Sequence, residues 1–170
     1  PLTATRVMLP QFSQSRAACA LLSAFLLPLA SHAAPLITEF MASNSSTIAD
    51  EDGDSPDWIE VFNPDGASID LGGYYLTDDA TDLTKWRIPS PTILDPSSFL
   101  VVFASDKNRA VPGSPLHTNF KLTSKGEYLA LVAQNGTTIV DEYAPSYPAQ
   151  FTDFSYGLQQ LGNTADEVLF

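Results

Sequence analysis

Five acidic side chains, Asp50, Glu51, Asp52, Asp54 and Asp57, fall within eight consecutive positions, immediately before the apolar run Trp58-Ile59-Glu60-Val61-Phe62. Such a cluster could coordinate a hard cation, supply a catalytic pair of carboxylates, or decorate a solvated turn. Asp50, Asp52 and Asp54 alternate as the first oxygen ligands of a calcium loop do, and Ca²⁺ takes about six to eight oxygens. An EF-hand is excluded by the spacing. Counted from Asp50, the position that needs glycine holds Ser55 and the position that needs glutamate holds Val61. A different calcium loop, built from Asp50, Asp52, Asp54 and Asp57 and completed by Asp78 or Asp79, is the metal alternative. The bland alternative is an exposed loop, the usual fate of a charge run.

Catalysis finds less support. Glycoside hydrolysis by Asp57 with Glu60, or by Asp78 with Asp79, would need two carboxyls roughly 5 to 10 Å apart across a cleft. Adjacent residues of an extended strand point to opposite faces, which argues against the second pair. His117 is the single histidine after residue 33, and it forms neither a zinc site nor a triad without partners the sequence does not locate. Ser155 lacks the Gly-x-Ser-x-Gly setting of an activated nucleophile, and no glycine-rich phosphate loop is present. No catalytic residue and no cofactor other than calcium is expected, so any enzymatic part would lie outside this chain. Tyr74, Tyr75, Trp86, Tyr143, Tyr147 and Tyr156 could stack on sugars if they shared an exposed face, but large aromatics in a β-rich domain usually bury.

The elements that must position these residues are short. LITEF (36–40), WIEVF (58–62), YYLT (74–77), KWRI (85–88), FLVVFA (99–104), NFKL (119–122), EYLALV (127–132) and TTIVDEY (137–143) each read as strands. Turn formers separate them, among them Asn63-Pro64-Asp65-Gly66, Gly72-Gly73 and Asn135-Gly136. Eight or so strands with tight turns predict an all-β sandwich or barrel. In Asp57–Asn63 the alternation sends Ile59 and Val61 to one face and Trp58, Glu60 and Phe62 to the other. The continuously apolar FLVVFA predicts a central strand covered on both faces. Asn135-Gly136 predicts a type I′ hairpin.

Length and charge set the remaining bounds. The 170 residues, 44% of them apolar, suit one domain plus a processed segment. Arg6 and Arg16 precede the apolar stretch of residues 18–30, and Ser31-His32-Ala33 then resembles a signal-peptidase site. The expectation is a signal peptide over residues 1–33, cleaved after Ala33 or Ala34, since about 13 apolar residues fall short of the roughly 20 that span a bilayer. The mature chain would be secreted, periplasmic or at the cell surface, with no stable membrane insertion. Cys19, the single cysteine, lies in the removed segment, so no disulfide forms, which suits bacterial export. The formal charge is −12, and about −14 after cleavage, with Lys85, Arg87, Lys107, Arg109, Lys121 and Lys125 scattered; nucleic acid is not an expected partner. Residues 161–170 end on Val168-Leu169-Phe170 and read as an edge strand or the start of a continuation.

A series of motifs carries a family resemblance. Leu36–Asn44, Asp50–Asp54, Asp57–Asn63, Leu76-Thr77-Asp78-Asp79, Lys85–Pro89, His117–Leu122 and Ser155-Tyr156-Gly157, in this order, resemble the bacterial lamin-tail domain. The resemblance covers roughly residues 35 to 160, and the domain is expected at 34–160. It implies an immunoglobulin-like β-sandwich, and a non-catalytic interaction or spacer module within exported proteins. The expected partner is a protein or cell-surface polymer. A calcium-stabilised binding domain, or an accessory domain of a secreted hydrolase whose catalytic part lies beyond residue 170, are the alternatives.

Overall fold

Alternating and short apolar runs produce strands throughout. The computed structural model describes residues 33–161 and 164–170, so all of the expected signal peptide except Ala33 lies outside the described residues. Twelve strands follow in order: β1 Leu36–Met41, β2 Asp57–Phe62, β3 Ile69–Asp70, β4 Tyr75–Thr77, β5 Trp86–Arg87, β6 Ile93–Leu94, β7 Phe99–Ala104, β8 Leu116–His117, β9 Leu129–Val132, β10 Ile139–Tyr143, β11 Tyr156–Leu161 and β12 Thr164–Leu169. They form a six-stranded sheet in the order β12-β11-β1-β2-β7-β8, a four-stranded sheet β10-β9-β4-β5, and the small pair β3-β6. Pairing is antiparallel except for β7 with β8.

The core lies between the two larger sheets. Ile37, Phe40, Ile59, Val61 and Val102 from the six-stranded sheet meet Leu76, Trp86, Leu129, Leu131 and Tyr143 from the four-stranded one. Two hydrogen bonds tie the layers directly: the Tyr143 hydroxyl donates to the Ile37 carbonyl at 3.1 Å, and the Ile37 N–H donates to Asp141 Oδ2 at 2.7 Å. Phe40 packs against the rings of Tyr143, Tyr147 and Tyr156 at 4.9, 4.7 and 5.8 Å between centroids, so three of the six sugar-stacking candidates belong to the core. Trp86 is buried there as well, and Tyr74 and Tyr75 are half-buried.

Three expectations need correction. FLVVFA is covered on one face only: Val102 and Ala104 point into the core, while Phe99 and Val101 are 57% and 37% exposed. The strand buried on both sides is β9, whose Ala130 and Val132 pack against Tyr128, Tyr75 and Leu83 behind the sheet. An apolar run fixes neither which faces are covered nor by what. Segment 119–122 holds only a single bridge, Lys121 to Ser105, and the strand of this region is Leu116–His117. The Thr118 hydroxyl donates to the Phe120 carbonyl at 2.6 Å and turns the backbone, so Phe120 and Leu122 act as buried anchors of a loop. The hairpin at Asn135-Gly136 forms, but not as type I′. Gly136 alone takes a positive φ, +70°, and the Gly136 N–H donates to the Ala133 carbonyl at 2.9 Å. Asn135 stays at negative φ because its Oδ1 accepts the Thr137 and Thr138 N–H groups, a local closure that side-chain amides offer in turns.

Candidate functional site

The acidic segment forms the tip of the connection between β1 and β2, and Asp50 organises it. Asp50 Oδ1 accepts the backbone N–H groups of Asp52 and Asp54, each at 3.0 Å, and the backbone closes the turn with Asp50 N–H to the Asp54 carbonyl at 2.8 Å. Gly53 supplies the φ of +83° that this tight loop requires. The Asp50 side chain is thereby fully covered, while Asp52 and Asp54 stay exposed.

The loop is met by cations from the connection between β7 and β8, more than fifty residues away. Lys107 Nζ donates to Asp50 Oδ2, and lies 2.7 Å from Asp52 Oδ2 and 2.8 Å from Asp54 Oδ2. An ammonium has three donors, and here each meets a carboxylate. Arg109 Nη1 pairs with Glu51 Oε1 at 2.6 Å and Nη2 with Asp52 Oδ2 at 2.7 Å. His117, on β8, is wholly buried and stacked on Phe103, with Nε2 at 3.0 Å from Glu51 Oε2 and Nδ1 at 2.8 Å from Ser105 Oγ. The Ser105 oxygen also accepts the Lys107 N–H at 3.2 Å.

The electrostatics follow from these partners. Hydrogen bonds from Arg109 and then Lys107 hold the Asp52 carboxyl down at about 2. Burial pushes Asp50 upward, but Lys107 and the two backbone donors outweigh it and leave its carboxyl below the usual range. The three carboxylates in turn push the Lys107 ammonium well above the ordinary lysine value. The arrangement is therefore a closed ionic clasp joining two loops, in which Lys107 and Arg109 bridge the four carboxylates of Asp50, Glu51, Asp52 and Asp54.

Against this geometry the sequence-predicted ligands divide. Asp50, Asp52 and Asp54 do converge, with ligand atoms within 4.8 Å of one another, and Asp50, Glu51 and His117 form a second such group. Asp57 lies elsewhere: half-buried, its Oδ1 accepts the Asn44 N–H at 3.0 Å. Asp78 pairs with Lys85 at 2.5 Å, and Asp79 accepts the Thr81 N–H and hydroxyl at 2.8 and 2.7 Å. Ser155 donates to Glu39 Oε1 at 2.5 Å. Ser105, His117 and Glu51 have the residue types of a hydrolytic triad, but the serine is buried and its oxygen serves the Lys107 backbone, so the chain acts as a strut that fixes the ring. Sequence reading overlooked Ser105, Lys107 and Arg109 as partners of the acidic loop, and no local pattern links segments so far apart.

A second site lies on the outer face of the six-stranded sheet, where β2 turns Glu60 and Phe62 away from the core. Phe62 and Phe99 stack at 4.6 Å between centroids. With Leu36, Glu39, Glu60 and Phe170 they line an open groove of about 590 Å³. The alternation of β2 had marked half of this face, and the matching parity of Phe99 and Val101 was the signal that could have found the rest.

A six-stranded and a four-stranded layer, antiparallel but for the β7–β8 pair, close over one apolar core as an immunoglobulin-like sandwich. The sequence matches the family described as Lamin Tail Domain over residues 29–146, and the chain belongs to that family. No curated protein and no solved structure matches the chain. The family is generally non-catalytic, in keeping with an interaction module.

Proposed function

We propose that the chain is a non-catalytic binding module of an exported protein and that it engages its partner through the outer face of the six-stranded sheet. The carrying observation is that this face retains Phe99, Val101 and Phe170 at 57%, 37% and 49% exposure beside the half-buried Phe62 and Leu36. Contiguous exposed apolar surface of this kind marks contact sites. Export is supported by the basic-apolar-small pattern of residues 6–33 and by the strong acidity of the rest. If the face is kept for binding, Phe99→Ser changes unfolding free energy in urea by less than about 1 kcal/mol, whereas Val102→Ala on the inner face of the same strand costs about 2 kcal/mol. Equal losses would sink the reading. Export is checked by sequencing the N-terminus of the secreted chain, expected at Ala34 or Pro35.

A calcium-stabilised module is the second reading, favoured by the convergence of Asp50, Asp52 and Asp54. It requires the Lys107 ammonium to leave the position the ion would take.

A further inference from the structure

The outer-face groove contains a charge arrangement that the sheet itself does not need. In the β1–β2 ladder Glu39 and Glu60 stand directly opposite each other, and both line the groove. Like charges in facing positions of an antiparallel pair repel. Each carboxylate receives one hydroxyl, from Ser155 to Glu39 Oε1 at 2.5 Å and from Thr38 to Glu60 Oε1 at 2.8 Å. Among the described residues no lysine, arginine or histidine forms an ion pair with either. The surroundings are apolar: the stacked Phe62 and Phe99, with Leu36 and Phe170. Burial therefore holds the Glu60 carboxyl above its ordinary value, and the neighbouring Glu39 charge adds to the rise.

We propose that this groove binds a lysine or arginine side chain of a partner protein, its aliphatic stem along Phe62, Phe99 and Leu36 and its cationic head between Glu39 and Glu60. The inference rests on the binding-module reading and names the chemistry of its partner. Charge complementarity selects the occupant. A cation on an apolar stem satisfies both walls and floor at once, because long basic side chains bury their methylenes while placing the charge on a carboxylate, and ring faces attract cations. A second copy of this chain is a poor occupant, since its net charge is −12. A bare calcium ion is also poorly matched, since it seeks about six to eight oxygens and the walls here are hydrocarbon. Nucleic acid would set phosphates against the two carboxylates.

The test titrates the ¹⁵N-labelled full chain with three capped tripeptides, acetyl-Leu-Lys-Leu-amide, acetyl-Leu-Arg-Leu-amide and the neutral acetyl-Leu-Gln-Leu-amide. The two cationic peptides are expected to give saturable shifts at the amides of Glu39, Glu60, Phe62 and Phe99, with millimolar affinity. The neutral peptide, and the Glu39→Gln/Glu60→Gln variant with either cationic peptide, should bind at least about tenfold more weakly. Unchanged amide shifts elsewhere in the variant verify that it is folded. Equal binding of the neutral peptide would overturn the cation assignment while leaving an apolar docking face, so the module reading would survive. Shifts that depend on protein concentration alone would overturn it in favour of self-association. Absence of saturable shifts with all three peptides up to about 10 mM would also overturn it, and the module reading would then be judged by the Phe99→Ser comparison.

Discussion

Two groups of carboxylates, the loop at residues 50–54 and the Glu39–Glu60 pair on the open sheet face, are treated in opposite ways by the same fold. In the loop each acidic residue meets a cation or a backbone donor, and the Asp52 carboxyl sits at about 2. On the sheet face two glutamates confront each other across a ladder, and Glu60 is raised. Repulsion left standing in an apolar groove costs stability in the free protein and is relieved by a cationic ligand. Paired charge is scaffold; charge left unmatched next to exposed rings is what the proposed cationic partner would pair.

The largest effect that can break this contrast is at Asp50. Asp50→Ala removes a fully covered side chain that accepts two N–H groups and meets Lys107. Leaving such donors unsatisfied costs about 2–3 kcal/mol, measured by urea unfolding at pH 7. A loss under about 0.5 kcal/mol, the usual range of a surface change, would mean that the clasp is ornament. The backbone amides of residues 51–54 should also lose protection from hydrogen exchange.

What the sequence made legible follows the range of each interaction. β2 was legible because Ile59 and Val61 alternate with Glu60 over a few residues, and the period of two is set by the chain itself. The Asp50 turn was legible as a cluster, since its ligands are neighbours. Its partners Lys107, Arg109 and His117 were not, because the pairing of β2 with β7 brings their segment beside the acidic loop from more than fifty positions away in the chain. FLVVFA misled for a related reason. Apolar side chains on Phe99 and Val101 report a surface that avoids water, but whether the fold or another molecule covers it is not encoded locally.

A smaller effect, of opposite sign, is expected on the sheet face. Replacing both glutamates, Glu39→Gln with Glu60→Gln, removes the facing charges and should stabilise the domain at pH 7 by a few tenths to about 1 kcal/mol. Destabilisation would mean that the pair is satisfied in a way the groove geometry does not reveal. The pH dependences sharpen the contrast. A carboxyl lowered by folding, as at Asp52, gives stability that is present above its ordinary value of 3.8 and lost as the pH falls towards about 2. A carboxyl raised by folding, as at Glu60, favours the folded state in acid, below its ordinary value of 4.5, and loses that contribution as the pH rises through its raised value. The gain of the double glutamine variant over the unmodified chain should therefore be greatest at pH 7 and shrink towards pH 3. Thermal melts across that range check it, and a gain independent of pH would point to shape instead of charge.

The smallest effect separates the ionic clasp from a metal loop. With Lys107 in place, a calcium ion must displace an ammonium already bonded to Asp50, Asp52 and Asp54, so the melting temperature of the unmodified chain should not move in millimolar calcium. Lys107→Met removes the competitor while keeping an unbranched stem of similar length, and the variant should melt lower without divalent ions as the three carboxylates repel. Calcium then restores part of the loss, by about 0.4 kcal/mol at a concentration equal to its dissociation constant and more above it. Magnesium, which demands a tighter octahedron and holds its waters, should restore less. A saturable calcium shift in the unmodified chain would reverse the assignment, making the loop a metal site for which Lys107 is only the occupant of the empty state. No shift in either chain would leave the carboxylates as lysine ligands alone, and the contrast with the open sheet face would stand at its sharpest.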